Sequence, residues 1–258
     1  MPSLSRMADL SEIVAFLDRE LRVSLIPDYP GAVNGLQLAN DGEVVRIVAA
    51  VDASLPVIEA AAEGGGPGLL IVHHGMFWQG AQPVTGALFR KLKIAMDAGL
   101  AVYSSHLPLD IHPEWGNNIL LAKAVGLLEP VPFFEQKGVQ IGIRGVWTGS
   151  RSGLVASLRQ ALGGGVHVCP AGPDPVQSVG VITGGAGSEV AKVASHGVDA
   201  FITGEGPHWS YTLAEELGIN LLYGGHYATE TFGIQALAQA IAAEFGVPWT
   251  FLDHPTGL

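Results

Sequence analysis

Residues 68–78 have the sequence GLLIVHHGMFW, and this stretch decides which fold the chain is expected to adopt. Its run of leucine, isoleucine and valine ends at the adjacent pair His73 and His74, and a glycine follows directly. A short, continuous apolar run of this kind is typical of a strand that is buried on both faces of a sheet. Ligands of open α/β sheets bind at the carboxyl ends of strands, so the two histidines are predicted to lie at a functional edge.

The segments on both sides of this stretch repeat the pattern. Apolar runs at 44–52 and 99–104 are separated from it by segments with helical spacing at 54–63 and 85–98. An amphipathic helix is predicted over 9–22, ahead of the first run. Strands that alternate with helices predict a parallel or mixed sheet.

The second half of the chain alternates in a similar way. After a predicted helix at 117–125, the stretch EPVPFFEQKG (129–138) has two prolines and no clear periodicity, so we predict a crossing between domains there. The predicted strands and helices that follow are strands at 139–147, 176–183, 200–203 and 219–223, helices at 153–162, 188–196, 211–217 and 228–244, and a closing strand in 247–255. We therefore predict two linked α/β domains with mixed sheets, one formed by 1–128 plus 224–258 and the other by 129–223.

The composition excludes several classes of protein. The chain has 258 residues, of which 48% are hydrophobic and 14% charged, so it is too apolar to stay disordered and is expected to hide surface between subunits. Its 24 acidic and 13 basic residues give a net charge of −11. That charge argues against binding to nucleic acid phosphates or to an anionic membrane surface.

Cysteine usage and hydropathy narrow the choice further. With the single cysteine Cys169, an intrachain disulfide and a cysteine-based zinc site are both excluded, and any metal must be held by histidines and carboxylates. No apolar run reaches the length of about 18 residues that a membrane span needs, and the polar first 20 residues lack a signal-peptide core. These features predict a cytoplasmic protein.

Four of the nine histidines lie in three segments that also carry two carboxylates. The six residues are His73 and His74, His106 with Asp110 in SSHLPLD (104–110), and His226 with Glu230 in GGHYATE (224–230). Six nitrogen and oxygen ligands exceed the needs of one tetrahedral ion and suit two ions that also bind water. The alternative is that these histidines are structural, because histidine pairs also occur by chance.

Spacing predicts how two of these segments fold. His226 and Glu230 are one helical turn apart and are expected to share one helix face. His106 and Asp110 have the same spacing, but Pro108 lies between them, so a loop is predicted there. Four other histidines lie outside these histidine and carboxylate segments and are predicted to be structural or surface residues, namely His112, His167, His196 and His254.

Five segments resemble the signature motifs of one known family, in that family's order and over nearly the whole chain. They are NGLQL (34–38), VHHGMFW (72–78), SSHLPLD (104–110), DAFITGE (199–205) and GGHYATETFGI (224–234). They are similar to the YbgI family, also called the Nif-three-like dinuclear metal-centre hexameric family and GTP cyclohydrolase I type 2. This resemblance implies two α/β domains, a toroidal homohexamer built as a trimer of dimers, and two divalent metal ions that face its inner cavity.

The resemblance also implies which residues bind the ions. Carried over by motif, the metal ligands are His73, His74, His106, Asp110, His226 and Glu230, with Glu230 as the candidate for a bridging carboxylate. Two positions depart from the family pattern. Leu107 and Pro108 replace a small polar pair, and Tyr227 stands where a second histidine is common. Neither departure removes a ligand.

Glu205 and His208 in TGEGPHW (203–209) are the candidate catalytic residues. The resemblance implies that Glu205 lies near the metal pocket and touches water or substrate, whereas an exposed loop acid is the alternative. His208 is a candidate proton donor or substrate ligand, or else an ordinary loop histidine. Asn34 and Gln37 are candidates for orienting a bound water or lining the cavity, although an Asn-Gly pair is also a turn signal. We expect Met76, Phe77 and Trp78 to pack beside the histidine pair.

Together these features predict a metal-dependent hydrolase. Two ions that share a water can activate it against an electrophilic carbon or phosphorus, which suits a nucleotide, a phosphoester or a cyclic amide as substrate. Imidazole and carboxylate ligands suit zinc, iron and manganese alike. The alternative is a non-catalytic ring that binds metal or acts as an interaction scaffold, since no set of residues that would recognise guanine is evident.

Overall fold

The computed structural model describes residues 7–258, which form two compact units. The first unit contains the chain up to Leu109 together with Gly233–His254, and the second contains Asp110–Phe232 and Pro255–Leu258. Among the residues described, no helix has the length and apolarity needed to cross a membrane.

Strands and helices alternate along most of the chain. The strands within residues 7–258 are β1 (Ala8–Asp9), β2 (Gly35–Leu38), β3 (Glu43–Val44), β4 (Arg46–Asp52), β5 (Gly68–His74), β6 (Leu100–Ser104), β7 (Leu128–Gln136), β8 (Val139–Gly149), β9 (His167–Pro170), β10 (Val176–Val181), β11 (Ala200–Thr203), β12 (Asn220–Tyr223) and β13 (Trp249–Phe251). The helices within the same residues are α1 (Leu10–Glu20), α2 (Leu55–Glu63), α3 (Gly86–Asp97), α4 (Leu107–Asp110), α5 (Asn117–Val125), α6 (Arg151–Leu162), α7 (Val190–Ser195), α8 (His208–Leu217), α9 (His226–Thr229) and α10 (Thr231–Phe245).

The first unit is built on a mixed sheet with the strand order β13-β4-β5-β6-β2. Strands β13, β4, β5 and β6 are parallel, whereas β2 runs antiparallel to β6. Strand β5 is buried from Gly68 to His73, because its leucine, isoleucine and valine side chains pack on both faces of the sheet. Helices α2 and α3 follow β4 and β5, so the connections place the ends of β4, β5 and β6 along one edge.

Side chains cap the first turns of α1 and α2 in this unit. Asp9 precedes α1, and its Oδ1 accepts a hydrogen bond of 2.7 Å from the Ser11 backbone N–H. Ser54 precedes α2, and its Oγ accepts from the Val57 N–H. These side chains satisfy backbone donors that have no partner within the helix.

The second unit contains a six-stranded sheet with the order β7-β8-β10-β11-β12-β9. Strands β10, β11 and β12 are parallel, and the outer strands pair antiparallel. Along β11, Ala200 and Ile202 belong to one apolar cluster while Phe201 belongs to another. Since successive strand residues point to opposite faces, this sheet has a core on each side. The predicted α/β fold with mixed sheets is thus confirmed.

Three local predictions were wrong. Residues 129–138 do not form a crossing but belong largely to β7, an edge strand, where prolines are tolerated because no ladder hydrogen bond is needed on the open side. The segment after His106 forms the short helix α4 rather than a loop, since proline is compatible with a first helical turn. The last helix begins at Thr231, and Glu230 separates it from α9 with a backbone φ of −108° and ψ of 5°.

The compact units also divide the chain at different residues from the predicted domains of 1–128 plus 224–258 and 129–223. Helix α5 lies within the second unit because Leu121, Ala122 and Val125 pack into the cluster formed with Leu154 and Leu158. Residues 1–6 of the predicted first domain lie outside the described residues.

Asn220 provides a test of this fold. Its buried amide donates to the carbonyls of Pro173 and Asp199, and its Oδ1 accepts from Gly172 N and Arg151 Nη1, at distances from 2.9 to 3.2 Å. Asn220→Ala removes all four bonds, so we expect the free energy of unfolding to fall by about 3 kcal/mol. Chemical denaturation would measure it. The exposed Gln177→Ala is the control, with an expected change within about 0.5 kcal/mol. Equal effects in the two variants would contradict the role of Asn220.

Candidate metal centre

Sheet register brings three histidines of the first unit together. His73 and His74 end β5, and His106 follows the end of the adjacent parallel strand β6. The ring centroid of His73 is 4.7 Å from that of His74 and 5.0 Å from that of His106. One nitrogen from each of the three residues lies within 4.8 Å of the other two. The strand ends predicted from the sequence therefore place three imidazoles around one point.

Each of these imidazoles is held through its Nδ1 atom. His73 Nδ1 is 2.9 Å from the Ser105 carbonyl oxygen, His74 Nδ1 is 2.9 Å from Asp52 Oδ1, and His106 Nδ1 is 2.8 Å from Asp28 Oδ1. A backbone carbonyl can only accept, so His73 carries a proton on Nδ1, and a neutral ring then has its lone pair on Nε2. Acceptors of this kind behind a histidine are the usual second layer of a metal site, and they fix the tautomer and the ring orientation.

Asp28 is a residue that the sequence analysis missed. Its Oδ1 accepts from His106 and from the Tyr29 N–H at 2.7 Å, and its Oδ2 accepts from Asn34 Nδ2 at 2.8 Å and Leu107 N at 3.0 Å. Burial raises the pKa of the Asp28 carboxyl, but the hydrogen bond and charge of His106 and the bonds from Asn34 and Tyr29 outweigh burial and lower it. Asp28 is therefore ionised where it holds His106.

The two amide residues singled out in NGLQL hold the loops around the histidines. Asn34 Oδ1 accepts from the His106 N–H at 2.8 Å, in addition to the bond from Asn34 to Asp28. Gln37 donates to the carbonyls of Ala32 and Val33 and accepts from the Met76 N–H at 2.8 Å. Both side chains therefore hydrogen-bond to the protein segments that surround the histidines.

Aromatic rings surround the three histidines. The Trp78 ring centroid is 4.8 Å from that of His106 and 5.6 Å from that of His74, and the Tyr29 centroid is 6.0 Å from that of His106. Met76 and Phe77 belong to the apolar core of this unit. The predicted packing beside the histidine pair is therefore confirmed for Trp78, and these rings limit the access of water to the imidazoles.

In the second unit, His226 lies between two carboxylates. His226 Nε2 is 3.2 Å from Glu230 Oε2, and His226 Nδ1 is 2.8 Å from Glu205 Oε1. The predicted proximity of His226 and Glu230 is confirmed, although Glu230 directly follows α9 and does not lie on a continuous last helix. Burial lowers the pKa of His226, but the hydrogen bonds and charges of Glu230 and Glu205 outweigh burial and raise it to about 9. This arrangement attracts positive charge.

Gly184 makes room for the Glu230 carboxylate. A Cβ atom on Gly184 would lie 2.2 Å from Glu230 Oε1 and 3.3 Å from His226 Nε2, and the residue has a φ of +69°. Its N–H donates to the Thr229 hydroxyl at 3.0 Å. This contact joins residues far apart in the chain, so it could not be seen without the tertiary structure.

Asp110 ends α4 and is buried in the second unit. Its Oδ1 accepts from Asn117 Nδ2 at 2.8 Å and from the Thr183 hydroxyl at 3.4 Å, and Thr183 directly precedes Gly184. Two hydrogen bonds therefore fix the carboxylate in place. His208, by contrast, is the first residue of α8 and is exposed.

The donor atoms present fit divalent metal ions. Oriented imidazole nitrogens and buried carboxylates are the ligands that zinc, iron and manganese share. The chain offers them as three imidazoles with anchored Nδ1 atoms in the first unit and as the His226 and Glu230 pair in the second. These buried histidine and glutamate groups could therefore hold metal ions.

The role of Asp28 can be tested with an amide. Asp28→Asn keeps the shape but turns one acceptor oxygen into a donor that faces other donors, so the His106 ring loses its anchor. We expect metal affinity to fall by about 10- to 100-fold. Elemental analysis after titration with zinc would measure the loss, with the exposed Asp41→Asn as control. An affinity equal to that of the parent protein would refute the role of Asp28.

The close contact between Gly184 and the Glu230 carboxylate predicts a second effect on metal affinity. Gly184→Ala forces the Glu230 carboxylate to move, so we expect metal affinity to fall at least about tenfold, because a displaced carboxylate no longer completes the ligand set. Gly197→Ala is the matched control, since Gly197 has a φ of +71° but no heavy atom within 4 Å of the added Cβ. Both variants should lose some stability from backbone strain. If a chelator competition assay shows equal metal affinity in both variants, Gly184 does not position the Glu230 carboxylate for metal binding.

Comparison with known proteins agrees with this geometry. A family model for Duf34/NIF3 (NGG1p interacting factor 3) matches residues 8–256. A Deinococcus radiodurans protein named GTP cyclohydrolase 1 type 2 homolog is 40% identical over 250 residues, which cover 96% of this chain and 94% of that protein.

Two solved structures are similar over almost their whole length. TTHA1606 from Thermus thermophilus has a TM-score of 0.89 at 39% identity, with 97% of this chain and 100% of that chain covered. Protein ybgI, described as of unknown function, has a TM-score of 0.90 at 34% identity and the same coverage of 97% and 100%. The predicted resemblance is confirmed, and the chain belongs to the Duf34/NIF3 family.

Proposed function

We propose that this protein is a hydrolase that depends on two divalent metal ions. The proposed ligands are His73, His74, His106, Asp110, His226 and Glu230, with Glu230 as the carboxylate that both ions share. The observation that carries the proposal is the anchoring of His73, His74 and His106 through Nδ1, because such anchoring commits the Nε2 atoms to an electrophile. Burying three imidazoles without a bound ion for their Nε2 atoms would lower the free energy of unfolding.

Bound ions would supply one part of the chemistry, since a metal-bound water has a pKa near about 7 and is a nucleophile at neutral pH. The chain's own residues supply the rest. Glu205 holds the ring of His226 at 2.8 Å, and its side chain is 44% exposed, so it can also face a substrate. His208 is exposed shortly beyond the same strand end and is proposed as the proton donor.

A cyclic amide suits these residues. In its hydrolysis, the water oxygen bonds to the carbonyl carbon, the carbon–nitrogen bond breaks, and the nitrogen takes up a proton, so that a carboxylate and an amine are formed. Imidazoles commonly act as general acids, and His208 is proposed to deliver that proton. The name of the Deinococcus radiodurans relative, GTP cyclohydrolase 1 type 2 homolog, supports ring opening as the reaction class.

Several finer features belong to this proposal. The native metal is taken to be zinc, iron or manganese, and the assembly is taken to be a toroidal homohexamer built as a trimer of dimers. The protein is proposed to act in the cytoplasm on a small-molecule substrate, without membrane or nucleic acid partners.

The proposal is tested by comparing Glu230→Gln with Glu205→Gln. An amide at position 230 keeps the shape of the side chain but removes the charge that both ions would share, so we expect at least one of two metal equivalents to be lost. Glu205 accepts one bond, from His226, and a glutamine oxygen can still accept it, so Glu205→Gln should keep most of the metal and lower turnover at least about tenfold. The measurements are metal content after anaerobic purification and hydrolysis of a panel of nucleotides, phosphoesters and cyclic amides.

Two results would overturn the proposal. Metal content below one equivalent in the parent protein under saturating conditions would rule out the dinuclear centre. Full metal content with no turnover of any substrate by the parent protein would favour the non-catalytic metal-binding ring instead.

A further inference from the structure

The second unit contains a cleft of about 960 Å³, and none of the six candidate metal ligands lines it. Glycine-rich loops at 164–165, 204–206 and 224–225 form much of its wall, and five aromatic or imidazole residues also line it, namely His167, His208, Tyr211, Tyr223 and Tyr227. This volume lies within the range of small-molecule sites, which is about 300 to 1,000 Å³.

The rings offer flat faces to a ligand. The centroid of His167 is 5.5 Å from that of Tyr211, and it is 6.2 Å from that of Tyr223 with an interplanar angle of 19°. Tyr223 is fixed by a hydrogen bond between its hydroxyl and Ser210. Since the Ser210 hydroxyl donates to the Pro207 carbonyl, Tyr223 is the donor in that bond. The ring is therefore held in place before a ligand arrives, which favours stacking of a planar molecule.

Charge in the cleft argues against phosphorylated ligands. Among the described residues that line it, none is lysine or arginine, and Glu205 is the one acidic side chain. A phosphate group placed here would lie near a carboxylate, with the imidazoles of His167 and His208 but no lysine or arginine from the lining to pair with it. A carboxylate accepts hydrogen bonds only, so Glu205 instead favours a ligand edge that carries N–H groups.

The same carboxylate connects the cleft to the candidate ligand His226. Glu205 Oε1 accepts a hydrogen bond from His226 Nδ1. The Glu205 side chain is 44% exposed and also lines the cleft. Gly204 permits this approach, because a Cβ there would lie 2.6 Å from His226 Cα. A ring bound in the cleft would therefore lie beside the histidine that the proposed centre uses.

We propose that this cleft binds an uncharged, planar nitrogen heterocycle, stacked on His167, Tyr211 and Tyr223, with its N–H edge towards Glu205. The role of that heterocycle as substrate rests on the proposed function, whereas its binding does not. The cleft is expected to bind the heterocyclic ring and to disfavour ligands that carry phosphate groups.

Guanosine and GTP test this specificity, because they share a planar base with N–H donors and differ in the triphosphate. The full-length protein, as purified, is titrated with each by isothermal calorimetry. We expect guanosine to bind, and to bind the cleft at least tenfold more tightly than GTP does. Inorganic triphosphate is titrated in parallel to show how much GTP affinity comes from its phosphates alone.

Two variants assign the binding to the cleft. Tyr211→Leu removes one ring, and Gly165→Leu fills the space without strain, because no heavy atom lies within 4 Å of a Cβ on Gly165. Both should weaken guanosine binding at least tenfold. Trp209→Leu is the control, since this half-exposed residue of the same helix does not line the cleft, and it should leave the affinity unchanged.

The outcomes separate this inference from the proposed hydrolase. Guanosine binding that both cleft variants weaken supports the inference even if the protein hydrolyses nothing. The inference is overturned if guanosine does not bind, if neither cleft variant weakens its binding, or if GTP binds as tightly as guanosine and the same variants abolish it. Each of those results would leave the metal contents of the Glu230 and Glu205 variants unaffected.

Discussion

The candidate centre depends on one kind of interaction, the hydrogen bond from a histidine Nδ1 to a fixed acceptor. An imidazole on a strand end can rotate about two side-chain bonds, and only a bonded Nδ1 selects one rotamer and one tautomer together. Ser105, Asp52 and Asp28 supply that bond to three rings, and Glu205 supplies it to a fourth. Ser105 and Asp28 lie in loops of the first unit, Asp52 ends β4, and Glu205 belongs to the second unit.

Asp28 shows what such an arrangement requires. Burying a carboxylate is costly unless hydrogen bonds replace its water, and Asp28 receives four of them from side chains and backbone N–H groups. Those bonds also fix the loop between α1 and β2, because Asn34 bonds both to Asp28 and to the backbone of His106. Loop conformation and histidine orientation are thus parts of the same hydrogen-bond network.

The sequence predicted the parts of the site that local pattern controls. A buried run of leucine, isoleucine and valine predicts β5, so the position of His73 and His74 at a strand end followed from the residues alone. The spacing of His226 and Glu230 likewise predicted a shared face. Asp52 was missed because it becomes the partner of His74 only through the register of β4 with β5, which is set by packing of the whole sheet. Gly184 was missed for the same reason, since its contact with Glu230 joins residues far apart in the chain.

Two of the three wrong local predictions have a common physical cause. Proline was taken to exclude regular structure, yet β7 is an edge strand that needs no ladder hydrogen bond on one side, and α4 places Pro108 in a first turn. In both places the position of the proline in the fold needs no hydrogen bond from its nitrogen, so its usual cost in a strand or helix does not apply. The break between α9 and α10 is the opposite case, because nothing in the residues from 226 to 231 excludes a continuous helix. At Glu230 the backbone leaves helical geometry while the side chain stays 2% exposed and bonded to His226, so the contacts of a buried carboxylate override local helix preference.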